Sequence, residues 1–212
     1  SIECSFANPL ADRDVGHNAR FMDDLEEWGR LSKNLYVWDY TMMPHHYFYP
    51  FPNVHSLGPN IRTFRDNGAR YLFEQGGAKY GDFAQLKAWL IAKFAWKADQ
   101  PLEPLLERFF EGHYGAAAPY VREYFDRVAG AVVGKAKTSY RIWEQDRPDL
   151  YPDSFVEWSR GVFSKAEAAV KEDPVRRKNV RIQAFVPVCL NLDRRGRETK
   201  WYWVTRNPEK FK

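Results

Sequence analysis

Leu35-Tyr36-Val37-Trp38-Asp39-Tyr40 decides how the chain is read. The run is rich in aromatic and β-branched residues, begins just after a turn signal at Asn34, and ends in polar groups, which is the pattern of a β-strand. Arg70-Tyr71-Leu72-Phe73-Glu74-Gln75 repeats the pattern after Gly68, and Ser1–Phe6 offers a third such segment at the start of the chain. Helical periodicity separates the three. Phe21, Leu25 and Trp28 fall on one face between His17 and Arg30, and a short helix capped at Asn60 runs through Ile61 and Phe64 to Asn67-Gly68. Strand and helix alternating in this rhythm predict parallel strands joined by crossovers. The spacing of about 30 residues suits the β/α units of a barrel.

The segment Thr41 to Pro59 is too long for a plain connection and is dense in His, Tyr, Phe and Pro, so it reads as a functional loop. After Gly76-Gly77 the texture turns helical. Asp82 is read as capping a helix through Phe83, Leu86, Trp89, Leu90 and Phe94. Pro101 opens the next helix, with Leu102, Leu105, Leu106, Phe109 and Phe110 inside, and Gly112-His113-Tyr114-Gly115 reads as a turn. Pro119 begins a third helix, Ser154 to Val170 forms a fourth, and a fifth starts near Pro174. The expected organisation is residues 1–81 as barrel and 82–212 as a mostly α-helical region packing on it and following it. The chain opens without Met and directly in a strand-like segment, so its partner is expected to be the N-terminal remainder of the same protein.

Composition supports a packed protein and removes several function classes. Of 212 residues 44% are hydrophobic, enough for a core, and 17% are aromatic, which serves either core packing or stacking on sugar faces. The net charge of +4 is scattered, with dense basic runs only at Arg176-Arg177-Lys178 and Arg194-Arg195-Gly196-Arg197. No basic stripe is interleaved with aromatics, which argues against nucleic acid. No run approaches the ~20 apolar residues of a membrane span. Cys4 and Cys189 stand far apart without metal or redox spacing. No cofactor motif is present.

Function in a β/α barrel lives at the C-terminal ends of its strands. That rule selects Glu3 and Cys4, then Trp38, Asp39 and Tyr40, then Glu74 and Gln75. Carboxylates converging on one opening suit glycosidic chemistry, and they also bind sugar hydroxyls. The same carboxylates read equally as caps on loop backbones or as partners of Arg62, Arg65 or Arg70, and Trp38 as a barrel-layer residue. His45-His46 project in different directions with no third ligand at standard spacing, so no metal site is expected. His46 with Tyr47 reads as sugar-binding or as loop packing.

Leu35–Pro52, Gly58-Pro59-Asn60-Ile61-Arg62-Thr63-Phe64, Asn67-Gly68, Phe73-Glu74-Gln75-Gly76, Leu86-Lys87-Ala88-Trp89-Leu90 and Phe110 to Pro119 together resemble a bacterial family first named as a domain of unknown function (number 4838). Some members are glycoside hydrolases, endo-β-N-acetylglucosaminidases acting on N-glycans, and the family is similar to α-glucuronidase and hexosaminidase barrels. The resemblance covers roughly the first two thirds of the chain; beyond Val133 only helical texture remains. It implies an α/β fold, the last strands of a (β/α)8 TIM-type barrel followed by an α-helical module, in a periplasmic, cell-surface or secreted protein. It also implies an acidic pair on a middle strand and a substrate acetamido group as nucleophile. No such pair ends a strand here, so the general acid is expected outside this chain, which alone would be inactive. Glu3, Trp38, Asp39, Tyr40, His46, Tyr47, Glu74 and Gln75 are then the substrate-binding candidates, with Glu74 in the place of a last-strand carboxylate. The expected function is the C-terminal portion of a hydrolase of β-linked N-acetylglucosaminides. The alternatives are a non-catalytic carbohydrate-binding barrel and a helical interaction module.

Overall fold

A computed structural model describes residues 4–44, 46–76, 81–133, 139–143 and 147–198. Helix α1 (Asn18–Leu31) leads into strand β1 (Leu35–Tyr40), helix α2 (Val54–Asp66) and strand β2 (Ala69–Gln75). Helices α3 (Ala84–Trp96), α4 (Leu102–Tyr114), α5 (Ala118–Gly130), α6 (Asp153–Ala169) and α7 (Pro174–Glu198) follow. β1 and β2 pair in parallel across the α2 crossover, with Asp39 opposite Glu74 and Tyr40 opposite Gln75. Val37 is buried in the core and Leu72 packs against it, while Tyr36, Trp38, Tyr71 and Phe73 leave the other face of the sheet exposed.

The expected (β/α)8 barrel is overturned. Among the described residues there is one open sheet of two strands, and helices make up most of the rest. Of the first expected strand, Cys4–Phe6 are described and form no strand. Their backbone donors are used elsewhere: Ser5 N–H donates to Asn18 Oδ1 at 2.9 Å and Phe6 N–H to the Tyr140 carbonyl at 2.8 Å. A segment committed to a helix side chain and a distant loop cannot also donate to a ladder. Downstream of β2 the elements of the described residues are all helical, so among them no further strand joins.

Two local readings also change. Helix α2 starts at Val54, so the irregular part of the long loop is shorter than expected and Asn60 lies inside the helix. Asn60 Oδ1 instead accepts the Leu10 N–H at 2.8 Å, tying the N-terminal segment to α2. Helix α4 continues through the expected turn to Tyr114 and stops at Gly115, whose φ of +54° suits glycine. A side chain at Gly115 would also strike Arg176 of α7 at 2.4 Å.

The core is one cluster running from Cys4 to Leu190. Its densest part is aromatic: Phe83 lies edge-on to Phe125 at 5.3 Å, Phe110 to Phe125 at 5.4 Å, and Tyr124 meets Phe163 at 4.8 Å. Such rings bury large areas and favour tilted or edge-on contacts.

Close backbone approach fixes where α1 passes Asn67, the residue that follows α2. A Cβ at Gly29 would stand 2.3 Å from the Asn67 carbonyl oxygen, whereas one at Gly161 in α6 would meet nothing within 4 Å. Gly29→Ala therefore costs about 1–3 kcal/mol through displaced backbone. Gly161→Ala gains up to about 1 kcal/mol from helix propensity. Urea unfolding of both variants checks this; equal midpoints would show that the approach of Gly29 to Asn67 is loose.

Candidate functional site

The parallel register brings two carboxyl groups side by side. Asp39 and Glu74 are opposite one another and share the face of the sheet turned toward the interior. Asp39 is buried and accepts the Tyr40 N–H at 2.8 Å. Burial raises both carboxyls, Asp39 to about 7 and Glu74 to about 8, and the neighbouring Asp39 charge lifts Glu74 further. Glu74 Oε2 is buried and has no hydrogen-bond partner among the described residues.

Period-two alternation divides the expected site. Trp38 and Gln75 stand together, with Trp38 Nε1–H donating to Gln75 Oε1 at 2.9 Å, but on the exposed face. Trp38 there meets Phe73 edge-on at 4.9 Å and stacks beside Tyr40 at 6.4 Å. Asp39 and Glu74 lie on the other face. Thr41 closes the strand ends, its N–H and hydroxyl both donating to the Gln75 carbonyl at 3.1 and 3.0 Å.

Beyond Glu74 opens a cavity of about 250 Å³. Its apolar wall includes Met42, Met43, Phe51 and Ile91, and its polar groups are Thr41, Tyr47, Glu74, Asp82 and Lys87. Asp82 and Lys87 are both buried, with Lys87 Nζ 3.7 Å from Asp82 Oδ2. Lys87 Nζ donates to the Phe51 carbonyl at 2.8 Å, and Phe51 N–H donates to Asp82 Oδ2 at 2.9 Å. Gln183 of α7 completes the group: its Nε2–H donates to Asp82 Oδ1 at 3.3 Å and its Oε1 accepts the Phe83 N–H at 3.1 Å. Burial holds the Lys87 ammonium down to about 8 despite its partner, and raises the Asp82 carboxyl. Phe83 carries a left-handed backbone at φ +46°, uncommon for a bulky residue. Its ring, wedged among Phe110, Tyr124 and Phe125, holds that conformation in place.

Of the sequence candidates, Glu74 and Tyr47 line the cavity, Asp39 is buried beside Glu74 on the same face without lining it, and Trp38, Tyr40 and Gln75 belong to the sheet's other face. His46 stacks on Tyr49 at 3.9 Å. Glu3 and His45 lie outside the described residues. The sequence reading missed Lys87, whose one available signal is a lysine between Leu86 and Ala88 in a strongly apolar helix. It also took Asp82 for a helix cap. The side chain instead points inward to Phe51 and Gln183.

The expected glycoside hydrolase is corrected here. Among the described residues an open pair of strands provides no ring of strand ends on which a barrel glycosidase builds its site. Among the described residues no three His, Cys, Asp or Glu side chains cluster as metal ligands. None of the described helices is long and apolar enough to cross a membrane. The arrangement fits a helical module better than a barrel-based N-acetylglucosaminidase. A family model described as a domain of unknown function (DUF4838) matches residues 1–126, more than half of the chain. No curated protein and no solved structure matches significantly.

Two measurements probe this electrostatic arrangement. A carboxyl raised in the folded state favours the native protein fully below its unfolded value, near 4.3, and that contribution is lost as pH climbs through the folded value near 8. Glu74→Gln removes the ionisation, so the variant melts higher than the parent at pH 8–9, by on the order of 5 °C, with the gap closing toward pH 4. A difference independent of pH would contradict the assignment. Lys87→Met strands the buried Asp82 carboxylate and costs about 3–5 kcal/mol at pH 7, most of which returns in the double variant with Asp82→Asn. Additive losses in that double-mutant cycle would show the two groups to be uncoupled.

Proposed function

The chain belongs to this family of unknown function, and we propose that it is a non-catalytic recognition module whose strand-end cavity takes one hydroxyl-rich unit of a carbohydrate. The observation carrying this reading is Glu74, which lines the cavity and whose buried Oε2 has no partner among the described residues. A buried polar atom left unsatisfied costs about 1–3 kcal/mol, which a ligand hydroxyl recovers. A carboxyl raised to about 8 stays protonated at neutral pH, so it can donate to one ligand oxygen and accept from a ligand hydroxyl.

The cavity's size and walls support the same ligand class. Its volume of about 250 Å³ lies below the range of about 300–1,000 Å³ typical of drug-sized sites, so a single ring fits better than a chain. Met42, Met43, Phe51 and Ile91 provide apolar surface for the C–H face of such a ring, and Tyr47 and Thr41 offer hydroxyls at its edge. Recognition without turnover follows from the polar inventory. Asp82, the other carboxylate lining the cavity, is committed to the Phe51 N–H, Gln183 and the charge of Lys87, which leaves Glu74 without a free carboxylate among the described lining residues to act with it.

The test is calorimetric titration of the chain with a panel of neutral monosaccharides and short glycans, alongside Glu74→Ala and Tyr47→Ala. At least one neutral sugar binds, Glu74→Ala weakens it about tenfold, and no sugar is cleaved. No binding across the panel by a folded protein, or affinity that Glu74→Ala leaves unchanged, would sink the proposal.

A further inference from the structure

Helix α7 buries one face and leaves a second apolar face to solvent. Val180, Val186 and Leu190 are buried, with Gln183 among them. On the outer side Val175, Lys178, Ile182, Phe185, Cys189 and Leu192 follow one another at alternating steps of three and four residues, the spacing of a coiled-coil seam. Val175 is 68%, Phe185 46% and Leu192 58% exposed. A helix in a folded protein normally carries one apolar stripe, and a second one exposed in this register marks a surface made for another helix.

The seam is grooved and charged. Phe48 leans edge-on against Phe185 at 5.3 Å and, with Ile182, frames a groove of about 370 Å³ rimmed by Arg177, Lys178 and Arg181. Glu167 is the one carboxylate among the described residues paired with this rim, 3.9 Å from Arg177 and 2.7 Å from Arg181. Lys178 takes part in no ion pair among the described residues. Three cations against one anion, bordering an apolar slot, complement an occupant that is acidic at its edges and apolar in its middle.

We propose that the outer face of α7 docks an acidic amphipathic helix of a partner protein, its apolar residues filling the slot between Phe48 and Phe185 and its carboxylates meeting Arg177, Lys178 and Arg181. A second copy of the chain fits poorly. Parallel pairing of α7 with its copy would set this basic rim against itself. The chain's own residues 199–212 bring Lys200, Arg206, Lys210 and Lys212 against a single Glu209, the wrong sign for the rim. An anionic membrane prefers a convex apolar face to a slot walled by Phe48.

A fluorescent synthetic helix with leucine along one face and glutamate on both flanks tests this by anisotropy. The chain binds it with micromolar affinity that falls as salt rises. Phe185→Ser and Lys178→Glu each weaken binding about tenfold with melting unchanged, and a lysine-flanked version of the helix does not bind. Any of four results would overturn the proposal: no binding of the glutamate probe, equal binding of the lysine probe, a dimer in sedimentation that Phe185→Ser abolishes, or Phe185-dependent flotation with phosphatidylserine vesicles. None of these readouts depends on Glu74, so sugar recognition and helix docking stand or fall separately.

Discussion

The buried pair of Asp82 and Lys87 organises the interior of the molecule. Each group alone would be costly in the interior, and their mutual distance of 3.7 Å is too long to satisfy either one. What completes them is backbone: Phe51 gives its carbonyl to Lys87 and its N–H to Asp82, and Asp82 N–H in turn reaches the Tyr47 carbonyl at 3.1 Å. Satisfying these two charges therefore fixes the course of the loop between β1 and α2. Gln183 ties the same group to α7, a hundred residues further along the chain. One polar knot inside an apolar core thus sets the register of three otherwise separate parts.

How much of this was legible follows from the range of the forces involved. Strands β1 and β2 and most helix positions are written in local periodicity, and so the sequence reading places Leu35–Tyr40 and the helices after Gly76 close to where they form. The barrel was not legible, because closing a sheet depends on which distant donors a segment finds. Ser1–Phe6 has strand composition, yet Ser5 and Phe6 spend their N–H groups on Asn18 and Tyr140. Composition cannot report that competition. A family resemblance weighed the same way, since motifs around Trp38 and Glu74 identify kinship while leaving the number of strands open.

The candidate site was half legible for a different reason. Strand ends group Asp39 with Glu74, and the parallel register sets the two opposite one another. Treating all residues of a strand end as one group ignored the pleat, which sends Trp38 and Gln75 to the opposite face. Lys87 was invisible for an opposite reason: a lysine in a helix is by default a solvated residue, and only the tertiary position of Phe51 gives it a buried partner.

Helix α7 shows why such a module needs an unusual final helix. Its inner face must accept Gln183 beside Val180, Val186 and Leu190, which commits that side to the polar knot and the core. Its outer face is free of that duty and yet keeps a regular apolar seam, with Ile182 next in sequence to Gln183. Apart from the contact of Phe185 with Phe48, this seam adds little to the hold on α7, which its buried face already secures through α6 and the Asn179 bond to the His113 carbonyl at 3.0 Å. The two faces therefore answer to different requirements. The inner one is set by satisfying Asp82, and the outer one by a surface that the described residues do not supply.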